Sequence, residues 1–148
     1  MDIKKKIKTI FHKALHSGSS PHTLALSCAM GSYIAFSPFP GAHTIMMFIA
    51  QWLLTLNFPL LFVVTSINNP WTMLPFFSFD YAFGYWLVHK IGGFAPTWHI
   101  PLEKIFGSGS ICIVSFLVGG NILGICSALL SYPIMLMIFK RLLVKQRP

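Results

Sequence analysis

The chain has 148 residues and a mass of 16.6 kDa, enough for one domain. Hydrophobic residues make up 55% and charged residues only 9%, against roughly 25% charge in an ordinary soluble domain, and the mean hydropathy is +0.69. So little charge cannot wet a globule of this size, which excludes a soluble enzyme, a disordered chain and, despite a pI near 9.7, a nucleic-acid-binding module.

The 11 basic residues gather at the ends. Lys4, Lys5, Lys6, Lys8 and Lys13 lie at the front and Lys140, Arg141, Lys145 and Arg147 at the back, with only Lys90 and Lys104 between. From Ala14 to His89 the single formal charge is Asp80, and Ile105 to Phe139 carries none. At ~20 apolar residues per spanning helix, the first stretch has room for about three or four passes and the second for about one or two. Basic flanks favour the cytoplasmic face, so both tails are expected inside and the number of full crossings even.

Residues 1–16 predict a basic amphipathic helix lying in the membrane interface. Ile3, Ile7, Ile10, Phe11, Ala14 and Leu15 recur at helical spacing, and Lys4, Lys5, Lys6 and Lys8 are placed to contact anionic headgroups. A solvated basic tail is the other reading. Residues 17–21 form a linker, in which Ser20 caps the next helix and Pro21 occupies its first position. The linker also separates the basic front from the apolar run, unlike a secretory signal.

A single membrane domain is expected over 22–139, in two broken units. In the first, 22–56, the run Ser37-Pro38-Phe39-Pro40-Gly41 stops a short helix, and an apolar helix resumes at His43 and Thr44. In the second, 58–89, Asn68-Asn69-Pro70-Trp71-Thr72 interrupts in the same way. Two half-length helices around such a break suit a re-entrant hairpin. Irregular backbone survives at membrane depth only if it is buried in protein or lines a watery cavity. Paired interruptions point to a midplane site in transporter-like folds, although Pro and Gly are also commoner in membrane helices generally.

A loop over 90–104 follows, rich in Gly, Pro, Trp and His. A final transmembrane helix over 106–139 carries Gly120, Gly124 and Ala128 at four-residue spacing, a stripe for close helix packing within the chain or between two copies. Gly119-Gly120-Asn121 reads alternatively as the tip of a short hairpin. The basic tail, 140–148, is expected in the cytoplasm.

Chemistry-bearing residues are sparse. Asp80 is the one acid inside the apolar segments, a functional-site candidate because a buried charge there is costly, or else a hydrated residue near an interface. As a transport residue it would carry a proton or pair with His43. Ser37, Thr44, Asn68, Asn69 and Thr72 either satisfy the backbone groups freed at the breaks or offer donors to a substrate. Cys28, Cys112 and Cys126 read as small buried hydrophobes. No catalytic set, metal site or cofactor is expected.

The blocks Phe36-x-Pro38-x-x-Gly41-x-His43-Thr44 and Asn69-Pro70-x-Thr72, followed by Tyr81-x-x-Gly84, resemble the bacterial membrane family catalogued as domain of unknown function number 2062, over roughly residues 20 to 145. The resemblance implies a small integral protein of the bacterial inner membrane, sometimes attached to a glycosyltransferase-like domain, with no established activity. The broken-hairpin layout is similar in outline to the DedA-type lipid transport proteins, an analogy of fold alone.

The expected fold is therefore an all-α, multi-pass integral membrane protein, with both termini cytoplasmic, the bilayer's anionic headgroups as partner and a homo-oligomer as its expected assembly. The expected function is that of a transporter or flippase moving a small solute, ion or lipid headgroup. Its site comprises Ser37, Pro38, Pro40, Gly41, His43, Thr44, Asn68, Asn69, Pro70, Thr72 and Asp80. The alternative is a non-transporting scaffold, for instance an accessory subunit of a lipid-linked glycosyltransferase.

Overall fold

A computed structural model of the chain describes residues 18–39, 41–93, 99–101 and 110–144. Their regular structure is helical apart from one short β ladder. In chain order they form α1 (Pro21–Phe36), α2 (His43–Leu54), α3 (Phe58–Thr65), α4 (Met73–Tyr85) with a π-helical continuation (Trp86–Ile91), β1 (His99–Pro101), β2 (Ser110–Cys112) and α5 (Ile113–Val144). The expected interfacial helix, with Lys4, Lys5, Lys6 and Lys8, lies outside the described residues, as do Pro40 and residues 145–148.

Local chemistry sets the helix starts. The Ser20 side chain accepts a hydrogen bond from the Thr23 N–H at 3.1 Å, with Pro21 at the first helical position. Asn57 does the same for α3, accepting from the Leu60 N–H at 3.3 Å, with Pro59 in the first turn. Each cap satisfies a donor that the helix itself leaves orphaned.

The 32-residue α5 is the spine, about 48 Å long at 1.5 Å per residue. Along its C-terminal part α1 runs antiparallel. His22 meets Tyr132 edge-on at 5.7 Å between ring centroids, and Leu24 and Cys28 join Phe139 in one buried cluster. Higher up, Gly124 lies against Tyr33, and Gly120 against Phe36 and Pro38. Between them the Tyr33 hydroxyl donates to Asn121 Oδ1 at 3.0 Å.

Beyond its break the chain reverses. Met47 and Ala50 of α2 pack with Ile34 and Leu61, and the backbone N–H of Asn57 donates to Ser27 Oγ at 2.8 Å. So α2 returns to the end from which α1 set out. α3 then rises beside α1 in the same direction, with Leu61 and Val64 against Gly31. α4 does not fold back on α3. It carries on past the end of α1 and packs on the first turns of α5, placing Asp80 beside Gly119 and Gly84 beside Ser115.

Three expectations are corrected here. Only the first broken unit is a hairpin; the second is one interrupted path, because the α1 groove that holds α3 ends at Ala35 while α5 continues beyond it to receive α4. The final helix covers 113–144 rather than 106–139, because Ser110–Cys112 is held as a strand with His99 opposite Cys112 and Pro101 opposite Ser110. Finally, Gly119-Gly120-Asn121 is no hairpin tip. It lies inside α5, where its two glycines admit α4 and α1.

Candidate functional site at the meeting of the two breaks

The first break is built by Ser37 and the residues after it. Ser37 caps α1 through its N–H, which donates to the Ile34 carbonyl at 3.0 Å. Its buried side chain donates to Met46 Sδ at 3.3 Å, tying the end of α1 to α2. Pro38 is buried against Gly120. Gly41 sits at φ +83°, a left-handed conformation that suits glycine and lets the chain turn back. His43 is half-buried, its Nε2 enclosed without a hydrogen-bond partner among the described residues, and Thr44 is exposed.

The second break organises itself through two side chains. Asn69 Oδ1 accepts from the N–H groups of Trp71 at 2.9 Å and Thr72 at 3.2 Å, the hydrogen-bonded turn that asparagine favours. Thr72 Oγ1 donates to the Ile67 carbonyl at 2.6 Å and accepts from the Asn69 N–H at 2.9 Å. Pro70 is exposed at the bend. Asn68 reaches out of the break altogether: its Nδ2 donates to the Ala35 carbonyl at 2.6 Å.

That last bond joins the two breaks. The Phe36 and Phe76 rings lie on either side of the joint, 5.0 Å between centroids. A groove of about 330 Å³ opens there, lined by Phe36, Thr72, Pro75, Phe76 and Phe79. Its lining is hydrocarbon except for Thr72, whose hydroxyl is already engaged within the break.

Asp80 stands one turn beyond Phe76 on α4. It is fully buried, and neither carboxylate oxygen has a hydrogen-bond partner among the described residues. No hydrogen bond joins it to His43 among the described residues. Ser115, buried on the facing helix, likewise has an unpartnered hydroxyl. Asp80 is nonetheless linked to the first break through α5, since Gly119 touches Asp80 while Gly120 touches Phe36 and Pro38. Ala128 is half-buried further along that helix.

Sequence reasoning missed the groove's aromatic lining and the tightest glycine contact among the described residues. That contact pairs Gly84 with Gly119, and its signal was present as two four-residue spacings, Asp80 to Gly84 and Ser115 to Gly119. Small residues at this spacing mark close helix approach. Neither a curated protein nor a solved structure matches the chain. A family model does match it over residues 4–147, and the chain accordingly belongs to the family described as uncharacterized protein conserved in bacteria, DUF2062.

Proposed function

We propose that the chain is an inner-membrane transporter or flippase whose substrate passes at the junction of the two breaks. Support for the membrane setting comes from α5. The segment Ile113–Leu143 has a mean hydropathy of 2.2 over its best window, and only 11% of that window is buried. Ile125, Leu129, Leu130, Ile134 and Met137 stand exposed along it, an apolar surface that soluble monomers rarely show.

The path of the helices fits a bilayer. With 16 residues, α1 is about 24 Å long, too short for a core of ~30 Å, and it leads into a hairpin that returns. The interrupted α3–α4 path and α5 each make one full crossing. Two crossings and one re-entrant hairpin bring the start of α1 and the end of α5 to the same side. Lys140 and Arg141 lie there, and the lysine-rich front of the sequence leads into it, which makes that side cytoplasmic.

The observation that carries the reading is the contact of the hairpin tip with the interruption of the crossing helix, through Asn68 and Ala35. Two stretches of non-helical backbone placed side by side at depth are what a substrate path requires. Both α2 and α4 begin at this joint, presenting the positive ends of their dipoles to an anionic group.

Water access tests it. With Cys28, Cys112 and Cys126 replaced, single cysteines at Ala42 and Trp71 are challenged with a membrane-impermeant thiol reagent in intact cells and inverted vesicles. Labelling at both positions is expected. If both stay inert while a tail cysteine reacts, the reading fails and a scaffold takes its place. One observation favours that rival: the second break satisfies its freed backbone groups internally, through Asn69 and Thr72.

A further inference from the structure

We infer that the groove at the junction holds one hydrocarbon chain of a membrane amphiphile, which makes the substrate class a lipid rather than a soluble solute or a free ion. The inference rests on the junction being the substrate site. Four of the five lining residues, Phe36, Pro75, Phe76 and Phe79, offer only carbon. The fifth, Thr72, has its hydroxyl committed to Ile67 and Asn69. A polar occupant would give up part of its hydration here and gain no hydrogen bond in return.

Size narrows the occupant further. At about 30 Å³ for a water-sized group, 330 Å³ takes a chain of about ten carbons, which is part of one acyl or isoprenoid tail and not two side by side. Leu74, next to the lining in sequence, is apolar and 66% exposed, as is the lining residue Phe79 at 58%. The approach is therefore lateral, from the hydrocarbon of the bilayer.

Photolabelling tests the inference on the full chain in nanodiscs of phosphatidylethanolamine and phosphatidylglycerol. The probe is phosphatidylglycerol with a diazirine near the end of one acyl chain. Phe36 and Phe76 are only partly exposed, whereas Leu129 and Leu130 are 69% and 66% exposed on α5. Passive contact with surrounding lipid labels in proportion to exposure, and an occupied groove labels Phe36 and Phe76 beyond it. The second result is expected. Phe79→Trp, which fills the groove, should cut that labelling several-fold and leave Leu129 and Leu130 unchanged.

Labels that follow exposure alone overturn the inference, and the wild-type comparison decides this even if Phe79→Trp folds poorly. p-Benzoylphenylalanine in place of Phe76, which is only partly exposed, captures the occupant directly. A lipid adduct supports the inference, and a crosslink to residues 1–17 or to a second copy overturns it. Failure here is separable from failure of transport. Wet breaks without lipid adducts leave a transporter of a polar substrate, and lipid adducts with inert cysteines at Ala42 and Trp71 leave a bound lipid without transport.

Discussion

Gly84 and Gly119 touch backbone to backbone where α4 crosses α5, and the contact is reciprocal. A Cβ on Gly84 would fall onto the Ser115 carbonyl and stand 2.8 Å from the Gly119 nitrogen; a Cβ on Gly119 would fall onto the Asp80 carbonyl and stand 2.8 Å from the Gly84 nitrogen. Such proximity permits weak Cα–H to carbonyl bonds and excludes any side chain. Gly84→Ala and Gly119→Ala should each destabilise the protein by more than the ~1–3 kcal/mol usual for overpacking, because backbone cannot step aside. Gly124→Ala, whose Cβ meets the Tyr33 ring edge at 3.0 Å, should fall within that range. Thermal midpoints in detergent rank the three, and equal midpoints would refute the crossing.

The joint between the breaks gives a second prediction. Asn68→Ala removes the donor to the Ala35 carbonyl, and Thr72→Val removes the hydroxyl that bonds Ile67 and Asn69. Each leaves partly enclosed backbone groups without partners, at about 1–3 kcal/mol. The two should differ in kind. Thr72→Val loosens only the second break, whereas Asn68→Ala uncouples it from the hairpin tip and should open Phe36 to a chemical probe at unchanged temperature. If Asn68→Ala leaves Phe36 protected, the aromatic contact and not the hydrogen bond holds the joint.

Much of the helix layout was legible because it is local. Ser20-Pro21 and Asn57-Phe58-Pro59 carry their own capping chemistry, and the run from Ser37 to Gly41 stops α1 locally, although Pro133 is accommodated inside α5. The two broken units look alike in sequence, yet α2 returns and α4 goes on. That difference is written in residues far away, in how far α5 extends beyond Ala35 and in the glycine at 119 that admits α4. The candidate site was legible only in its polar members, which mostly tie the breaks together. Its carbon lining looked like ordinary core, since Phe36, Phe76 and Phe79 become a groove only when two distant breaks are brought side by side.

Asp80 separates stability from function. If α4 crosses the bilayer as proposed, its unpartnered acid costs ~2.5–3.5 kcal/mol at the helix centre, so Asp80→Asn should leave the thermal midpoint unchanged or raise it. Transport through a path with so few ionisable groups should depend on it. The expected outcome is a stable variant that no longer flips a fluorescent phospholipid in proteoliposomes, with His43→Gln as the parallel case. Unchanged flipping in Asp80→Asn would remove the acid from the mechanism.

The orientation of the helices makes the last prediction. Gly18, Thr55 and Lys140 are exposed, and the packing puts them at one end of the molecule: α2 returns to Ser27 through Asn57, and Leu24 of α1 lies beside Phe139 of α5. Gly93, exposed after the π-helical turn, lies at the other end. Single cysteines at these four positions, in a chain freed of its own thiols, should therefore divide three to one. An impermeant reagent should reach Gly93 in intact cells, and Gly18, Thr55 and Lys140 only in inverted vesicles. Thr55 is the discriminating position. If it labels from outside, α2 does not return and α1–α2 is not a re-entrant hairpin. If Gly93 labels together with Lys140, the interrupted α3–α4 path does not cross, and the junction lies at a membrane surface instead of within it.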